Sequence, residues 1–252
     1  MIRNTERFTG KGGDYVAARP AYAQDMLAWL AQKGVGVGAR VADIGAGTGK
    51  FTAQLLGLGA TVWAVEPNAD MRAKAEAVLS GNPRCTLVAA TAESTTLADG
   101  SVDFVTAAQA FHWFDAAAFA RECARILTPQ GRVCLVWNNR VADAPIHRET
   151  AELSRAFCPT FVGFSNGQSE ETLKTVAWFA EGFELCRFAN DLTYDREGFV
   201  RRQLSSSYAP LPDTPAYAAY AAVMGELFDR YAQNGVLVAP NETVAWFGRP
   251  NV

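Results

Sequence analysis

Histidine and cysteine are scarce in this sequence, and neither occurs in a metal-binding pattern. Only two histidines, His112 and His147, occur in 252 residues, and the five cysteines are widely spaced with no C-x-x-C pair. An odd, scattered set of cysteines argues against a disulfide framework and against a zinc site. Two histidines also cannot build a histidine-rich metal site. We therefore predict free thiols, no metal and a reducing, cytoplasmic compartment.

Long apolar runs and an excess of basic residues are also missing. No stretch reaches the roughly 18–20 apolar residues that a membrane span requires, and residues 1–20 lack the apolar region of a secretion signal. Lysine and arginine number 23 against 26 aspartates and glutamates, a formal net charge of -3. This balance gives no electrostatic footprint for nucleic acid or an anionic membrane surface. We therefore expect neither as a partner.

Short apolar runs alternate with helical patterns along most of the chain. Five runs predict strands, over 41–44, 61–65, 85–89, 102–106 and 132–137. Three helical patterns separate them, over 49–58, 69–79 and 116–127. Apolar strands that alternate with helices form a parallel sheet covered on both faces. With two later strand candidates, 183–192 and 242–248, the sequence predicts an α/β fold, a doubly wound, mostly parallel, seven-stranded Rossmann-like sheet. Its ligands should lie at the carboxyl ends of the strands.

The remaining segments predict helical additions to one domain that spans residues 1–252. Residues 1–35 are expected to form an N-terminal lid and helix, and residues 36–139 the cofactor-binding core. Helical patterns over 146–157 and 170–180 lead us to interpret residues 140–180 as a cap segment over the ligand edge. A second cap segment is expected over 195–235. In it, Thr214 is a candidate N-cap, Pro215 the first helical residue, and Asn234-Gly235 the helix end.

The most informative segment is a strand, a glycine turn and a helix start over residues 41–50, with the sequence VADIGAGTGK. A phosphate loop requires G-x-x-x-x-G-K-[ST], but Lys50 is followed by Phe51. A dinucleotide fingerprint requires G-x-G-x-x-G, but the third glycine, Gly49, comes one residue early. The turn therefore approaches a ligand closely without matching either phosphate motif.

A carboxylate, Asp43, lies in the strand two residues before the first glycine of the turn. Beside a pyrophosphate it would hold like charges together in a dry crevice, whereas it suits a ligand that carries a positive charge. The structural alternative is that Asp43 only caps the following turn.

Two more carboxylates follow the next strands. Glu66 comes directly after the second strand, where a carboxylate can accept two hydrogen bonds from a ribose diol. Glu93 follows the third strand, where an adenine edge would lie, although a solvated loop glutamate explains it equally well. The three carboxylates predict a nucleoside site at one edge of the sheet.

These segments resemble the ordered motifs of a known enzyme family. The segments are DIGAGTG at 43–49, VEPNADM at 65–71, AE at 92–93 and AQAFHWFD at 108–115. They resemble class I S-adenosylmethionine-dependent methyltransferases, and within that class the small-molecule branch related to trans-aconitate methyltransferase. The resemblance covers about residues 8–140 and is weak in the cap segments.

The resemblance implies that S-adenosylmethionine is the cofactor and assigns residues to it. Asp43 would lie near the ammonium group, Glu66 would bind the ribose hydroxyls, and Met71 would pack by the adenine. An N-terminal Y-x-x-x-R-P-x-Y segment, which begins at Tyr15, would fold over the cofactor, with Arg19 on the methionine carboxylate; a mobile terminus with a solvated arginine is the alternative. The full implied set is Tyr15, Arg19, Asp43, Gly45, Ala46, Gly47, Thr48, Gly49, Glu66, Pro67, Met71, Ala92, Glu93, Gln109 and Ala110.

The acceptor side is predicted from aromatic and polar residues at the ends of the fourth and fifth strands and in the second cap segment. The aromatic run at 111–114 is expected to face the sulfonium, which attracts aromatic rings, although such runs often belong to the core. His112 is the candidate base for a hydroxyl acceptor, whereas a carboxylate acceptor needs none. The candidate acceptor residues are Phe111, His112, Trp113, Trp137, Asn138, Arg140 and Tyr208. Arg201 and Arg202 of the second cap segment are further candidates. For each of these arginines, the alternative is a solvated side chain on the protein surface.

The function predicted from the sequence is methyl transfer to an oxygen of a small-molecule carboxylate or hydroxyl, by a monomer or homodimer. Two alternatives stay open at this point. One is an NAD(P)-dependent oxidoreductase, which the early third glycine and Asp43 disfavour. The other is a non-catalytic protein that binds S-adenosylmethionine.

Overall fold

A computed structural model describes residues 21–164, 178–206 and 208–252 of the chain. Tyr15 and Arg19 lie outside these ranges, as does most of the helix predicted over 170–180. The end of that helix prediction is wrong, because residue 179 already begins a strand.

The described part of the chain forms seven α-helices and nine strands. The helices are α1 (Gln24–Gln32), α2 (Lys50–Gly57), α3 (Ala69–Leu79), α4 (Ala116–Ile126), α5 (Pro145–Phe157), α6 (Arg196–Leu204) and α7 (Pro215–Tyr231). The strands are β1 (Arg40–Ile44), β2 (Thr61–Val65), β3 (Cys85–Val88), β4 (Val102–Ala108), β5 (Leu127–Arg140), β6 (Phe179–Ala189), β7 (Leu192–Tyr194), β8 (Leu237–Ala239) and β9 (Asn241–Pro250).

The main sheet has seven strands in the order β3-β2-β1-β4-β5-β9-β6. Its first five strands pair in parallel, while β9 pairs antiparallel with both β5 and β6. The strand order reverses between β1 and β4, where the chain crosses from one half of the sheet to the other. This architecture confirms the predicted doubly wound, mostly parallel α/β fold, and ligands of such sheets bind at the reversal point.

Apolar side chains cover both faces of the sheet. One face buries an aromatic-rich cluster that includes Phe119, Trp137 and Trp246. The other face packs α1 and α2 against the sheet through residues such as Leu30 and Leu55, both without exposed surface. Burial on both faces explains why the parallel strands read as continuous apolar runs in the sequence.

A third apolar cluster lies outside these two layers. It joins α5, α6 and α7 with the small β7–β8 sheet, and its fully buried members include Tyr220, Met224 and Leu227. The three helices come from the segments that the sequence assigns to the caps, 140–180 and 195–235, whereas β7 and β8 lie just outside them. Their role over the ligand edge stays a prediction.

The second cap segment tests two boundary predictions. Thr214 is the N-cap of α7, since its side chain accepts a hydrogen bond from the Tyr217 N–H, and Pro215 is the first helical residue, as predicted. The predicted end is wrong. The helix stops at Tyr231, and Asn234-Gly235 instead closes a tight turn with φ values of 51° and 76°. Asn-Gly favours such turns because both residues tolerate positive φ.

Two features are not found in the described ranges: a membrane-spanning helix and a metal-binding cluster. None of the helices there is long and apolar enough to span a membrane. No group of three or more His, Cys, Asp or Glu side chains within those same ranges could hold a metal ion.

Candidate functional site

The site is built at the carboxyl ends of β1, β2 and β4. Asp43 pairs in register with Ala64 of β2 on one side and with Thr106 of β4 on the other. Glu66 follows β2 directly, and Gln109 follows β4 directly. Because parallel strands end at one edge of the sheet, these three side chains belong to the same edge. This is the edge at which the strand order reverses.

The three glycines of the turn between β1 and α2 serve two purposes. All three have positive φ, of 69° at Gly45, 59° at Gly47 and 79° at Gly49. A Cβ at Gly45 would lie 2.6 Å from the Ala110 Cβ, and one at Gly49 would lie 2.7 Å from Leu79 Cδ1. Among the described residues beyond its chain neighbours, a Cβ at Gly47 would come near only the Gly45 carbonyl, at 4.0 Å. Gly45 and Gly49 therefore allow close packing, while Gly47 keeps open space that a ligand can use.

We expect Gly45→Ala to destabilise the fold by about 2–4 kcal/mol, because it adds overpacking to backbone strain. The clash is with the Cβ of Ala110, which cannot rotate away. Gly81→Ala is the matched control, since Gly81 also has positive φ, 79°, but nothing within 4 Å of the added Cβ. Urea denaturation of the two variants separates the cost of overpacking from the cost of backbone strain. Equal losses in both would show that the close approach to Ala110 contributes nothing.

Asp43 is almost completely buried at the end of β1, with 1% of its surface exposed. One carboxylate oxygen accepts a hydrogen bond from the Thr52 hydroxyl at 2.6 Å, and the other from the Thr106 hydroxyl at 2.8 Å. Burial raises the pKa of Asp43 to about 6, because the two threonine hydrogen bonds only partly compensate for lost hydration. A buried carboxylate of this kind gains from a cation nearby. Its placement near a cofactor ammonium stays a prediction.

Glu66 lies across the turn and organises it. Its carboxylate accepts the Gly47 N–H at 3.0 Å and the Asn68 N–H at 2.8 Å. Burial raises its pKa, and its charge also contributes to the raised pKa of Asp43, so the two carboxylates share one environment. Arg72 steadies this segment by donating to the backbone carbonyls of Glu66 and Pro67, at 2.8 and 2.7 Å.

The remaining predicted cofactor residues differ in their burial. Gly45, Ala46, Gly47 and Thr48 are partly exposed, Met71 and Ala92 are nearly buried, and Pro67 is partly exposed. Glu93 accepts the Asp115 N–H at 3.1 Å, at the N-terminus of α4. That bond gives Glu93 a local structural role, and its contact with an adenine stays a prediction.

The segment after β4 returns sharply toward the glycine turn. Gln109 has a positive φ of 55°, and its side-chain amide donates to the Asn138 carbonyl at 3.0 Å. A non-glycine residue in this region is uncommon, and such residues are held by their surroundings. The turn places Ala110 against Gly45, which closes the floor of the site.

The aromatic run after Ala110 divides between core and surface. Phe111 is buried, with its ring centroid 5.2 Å from that of Trp178 and 6.3 Å from that of Trp137. Trp137 has no exposed surface. His112 and Trp113 are exposed, with ring centroids 4.8 Å apart. Packing accounts for Phe111 and Trp137, and their contact with an acceptor, like that of His112 and Trp113, stays a prediction.

Asn138 belongs to a polar cluster that fixes the start of the described chain. Its side chain donates to the Ala21 carbonyl at 3.2 Å and accepts from Thr243 at 2.5 Å and from Asn190 at 3.1 Å. Asn190 also donates to the Ala21 carbonyl, at 2.9 Å. These bonds give Asn138 a structural role at the site's edge, and acceptor binding by Asn138 stays a prediction.

Sequence inspection missed four residues that support the site. Thr52 and Thr106 hold Asp43, Asn68 caps α3 by accepting the Met71 N–H at 3.0 Å, and Arg72 holds the segment after β2. Thr106 carried a signal, because it is polar in an otherwise apolar part of β4. The others depend on distances that only the folded chain defines.

Comparison with known proteins finds similarity to methyltransferases. Residues 42–135 match the family model described as a methyltransferase domain. An uncharacterized methyltransferase of Mycobacterium tuberculosis (strain ATCC 25618 / H37Rv) is 41% identical over 141 residues, 56% of this chain and 56% of its own length. An uncharacterized methyltransferase-like protein of Schizosaccharomyces pombe (strain 972 / ATCC 24843) is 31% identical over 156 residues, 60% of each chain. The alignments thus span a little over half the length of these relatives.

Solved structures share the fold at lower identity. A protein of Anaeromyxobacter dehalogenans described as a type II methyltransferase superimposes with a TM-score of 0.66 at 23% identity, covering 92% of this chain and 97% of its own. The phosphoethanolamine N-methyltransferase 2 of Haemonchus contortus was solved with phosphomonomethylethanolamine and S-adenosylhomocysteine. It superimposes with a TM-score of 0.55 at 14% sequence identity, covering 100% of this chain and 60% of its own. The domain match thus covers residues 42–135, and the solved structures show that the fold is shared.

Proposed function

We propose that this protein transfers a methyl group from S-adenosylmethionine to an oxygen of a small-molecule acceptor. The observation that carries the proposal is the glycine turn with a carboxylate on each side. Asp43 is buried before it, and Glu66 accepts the Gly47 N–H across it. This arrangement suits a ligand that combines a cationic amino-acid part with a ribose.

The residues at the turn fit such a cofactor. The space beside Gly47 admits a ligand to the backbone, since among the described residues, apart from its chain neighbours, none comes closer than 4.0 Å to where its Cβ would be. Asp43 has no cationic partner within 4.0 Å among the described residues, so an ammonium would relieve its burial cost. Each Glu66 oxygen accepts one backbone N–H, which leaves lone pairs for a ribose diol.

The protein's own contribution to the reaction is binding, orientation and exclusion of water. When bound, S-adenosylmethionine supplies an electrophilic methyl group. The chain must hold the acceptor oxygen in line with that methyl at near-attack distance. A carboxylate acceptor would need no base, whereas a hydroxyl acceptor would use His112, which is exposed at the same sheet edge.

Calorimetric titration tests the cofactor assignment against the oxidoreductase alternative. We expect S-adenosylhomocysteine to bind with a micromolar Kd, about 8 kcal/mol, and NADH not to bind. The reverse preference would exclude the proposal, because the same glycine turn would then accept a pyrophosphate.

Mass spectrometry of methyl transfer tests catalysis against a non-catalytic binding role. The protein is incubated with S-adenosylmethionine and a panel of carboxylic acids, phenols and alcohols. We expect a mass gain of one methyl group, about 14 Da, on at least one oxygen acceptor, with S-adenosylhomocysteine formed in equal amount. Tight cofactor binding without transfer to any member of a broad panel would favour the binding protein.

A further inference from the structure

Arg140 is the unusual residue near the candidate site. It is the last residue of β5 and is partly buried, and its guanidinium carbon lies 4.2 Å from the centroid of the Phe164 ring. Among the residues that the structure describes, none gives this guanidinium a hydrogen bond or a carboxylate within 4.0 Å. Arg187, by contrast, forms an ion pair with Glu242, and its side chain is 53% exposed.

The surroundings make the missing partner costly. Burial lowers the pKa of Arg140, and the positive charge of Arg202 lowers it further. Three tyrosines, Tyr194, Tyr208 and Tyr220, act in the opposite direction and raise the pKa of Arg140. A partly buried cation next to a second cation is unfavourable unless an anion neutralises it.

A second polar group without a partner among the described residues, the hydroxyl of Tyr208, is connected to Arg140 by a row of aromatic rings. The Tyr208 hydroxyl is buried and has no hydrogen-bond partner in the described structure. Its ring centroid lies 4.7 Å from that of Phe161, which lies 5.1 Å from that of Phe164, the ring under Arg140. A contiguous aromatic wall therefore links an unpaired donor to an unpaired cation.

The cluster adjoins the edge where the cofactor is proposed to bind. Asn138, two residues before Arg140 on β5, accepts the side-chain bond from Gln109 at the end of β4. An anion held by Arg140 would thus place the rest of its molecule near Gln109 and the segment that follows it.

We propose that Arg140 and Tyr208 bind a carboxylate of the methyl acceptor, so that the substrates are carboxylic acids with an apolar body. This inference rests on the proposed function. The planar guanidinium has one face on Phe164, which leaves its edge to bind a carboxylate with two parallel hydrogen bonds. The aromatic rings around it suit an apolar chain. A phosphate dianion would call for more donors than this wall provides.

Direct binding tests the site without relying on turnover. The full chain, saturated with S-adenosylhomocysteine, is titrated calorimetrically with hexanoate, with hexanamide as the neutral analogue and with hexyl phosphate. We expect hexanoate to bind and hexanamide to bind at least about tenfold more weakly, since it cannot form the charged pair. Hexyl phosphate binding more tightly than hexanoate would overturn the choice of a carboxylate.

Variants then assign the binding to these side chains. We expect Arg140→Gln to weaken hexanoate binding about 30-fold or more, Arg140→Lys by less, and Tyr208→Phe about fivefold, in line with the loss of charged and neutral hydrogen bonds. Arg201→Gln is the control, because Arg201 is exposed on α6 and lies 3.5 Å from Glu197. Unchanged hexanoate affinity in Arg140→Gln would overturn the proposal.

Two further measurements separate this proposal from the cofactor assignment and from misfolding. S-adenosylhomocysteine affinity should be the same in wild type and Arg140→Gln. Without ligands, the Tm of Arg140→Gln should equal or exceed that of wild type, because an unpaired cation is removed. A drop of several degrees would assign Arg140 a structural role instead. Hexanoate binding through Arg140 in a protein that ignores S-adenosylhomocysteine would reject the cofactor and keep the anion site.

Discussion

Asp43→Asn should weaken S-adenosylhomocysteine binding about 100-fold and yet stabilise the ligand-free protein. A buried charge about 6 Å from an ammonium contributes about 3 kcal/mol at an effective dielectric constant of about 20. The amide keeps the shape of the carboxylate and can still meet the hydroxyls of Thr52 and Thr106. The loss of affinity would therefore report the charge.

The gain in stability follows from the raised pKa. Folding raises the pKa of Asp43 from 3.8 to about 6, so the folded state binds more protons than the unfolded state between these values. The contribution to stability is therefore greatest below pH 4 and is lost as the pH rises through 6. Above pH 7 the ionised group costs on the order of 3 kcal/mol. Asparagine carries no such cost.

Urea denaturation at pH 7.5 and pH 5 measures this effect. We expect the stability advantage of Asp43→Asn to shrink by about 1 kcal/mol or more between the two pH values. Wild-type affinity for S-adenosylhomocysteine should fall below pH 6, where Asp43 becomes protonated, while the variant's affinity stays flat. Asp70→Asn, at an exposed position in α3, is the matched control. A variant that binds the ligand as tightly as wild type would remove Asp43 from the site.

Glu66→Gln should weaken S-adenosylhomocysteine binding about 10- to 100-fold, because hydrogen bonds to charged groups contribute about 1.5–3 kcal/mol. The carboxylate accepts two backbone N–H groups, of Gly47 and Asn68. Glutamine retains one acceptor and turns a donor toward the other N–H. The turn and the proposed ribose contact are thus both affected.

A ligand that lacks the 2′-hydroxyl separates these two effects. Wild type should bind the 2′-deoxy analogue of S-adenosylhomocysteine more weakly than the parent, and Glu66→Gln should show a smaller further loss. Additive losses would mean that Glu66 acts only on the turn. Glu76→Gln, exposed on α3, controls for the change in net charge.

Local patterns made the cofactor half of the fold predictable. The β1-turn-α2 segment depends on glycines within a few residues of each other, and three of them do adopt positive φ. The shared edge of Asp43 and Glu66 follows from parallel pairing alone. No structure was needed to expect either.

Features that depend on distant pairing were not predictable. The hydrogen bond from Thr106 to Asp43 joins residues 63 apart in sequence, and its formation requires the β1–β4 register. The sequence predicts a helix end at Asn234-Gly235, although the same dipeptide closes tight turns, because nothing local indicates that α7 stops at Tyr231. The sequence predicts Phe111 at the acceptor side and leaves core packing as the alternative, and the contacts of its ring with Trp137 and Trp178 are defined only by the folded chain.

The position of β9 has a consequence for how the chain matures. This strand, Asn241–Pro250, lies between β5 and β6 and hydrogen-bonds to both. During synthesis, β5 and β6 leave the ribosome before the strand that separates them. Until β9 is made, each of them has one edge whose backbone groups lack a hydrogen-bonding strand. A fragment cut at residue 135, where the family match ends, would keep such an edge permanently. Expression of that fragment alone should yield aggregates, even though it carries the whole glycine turn.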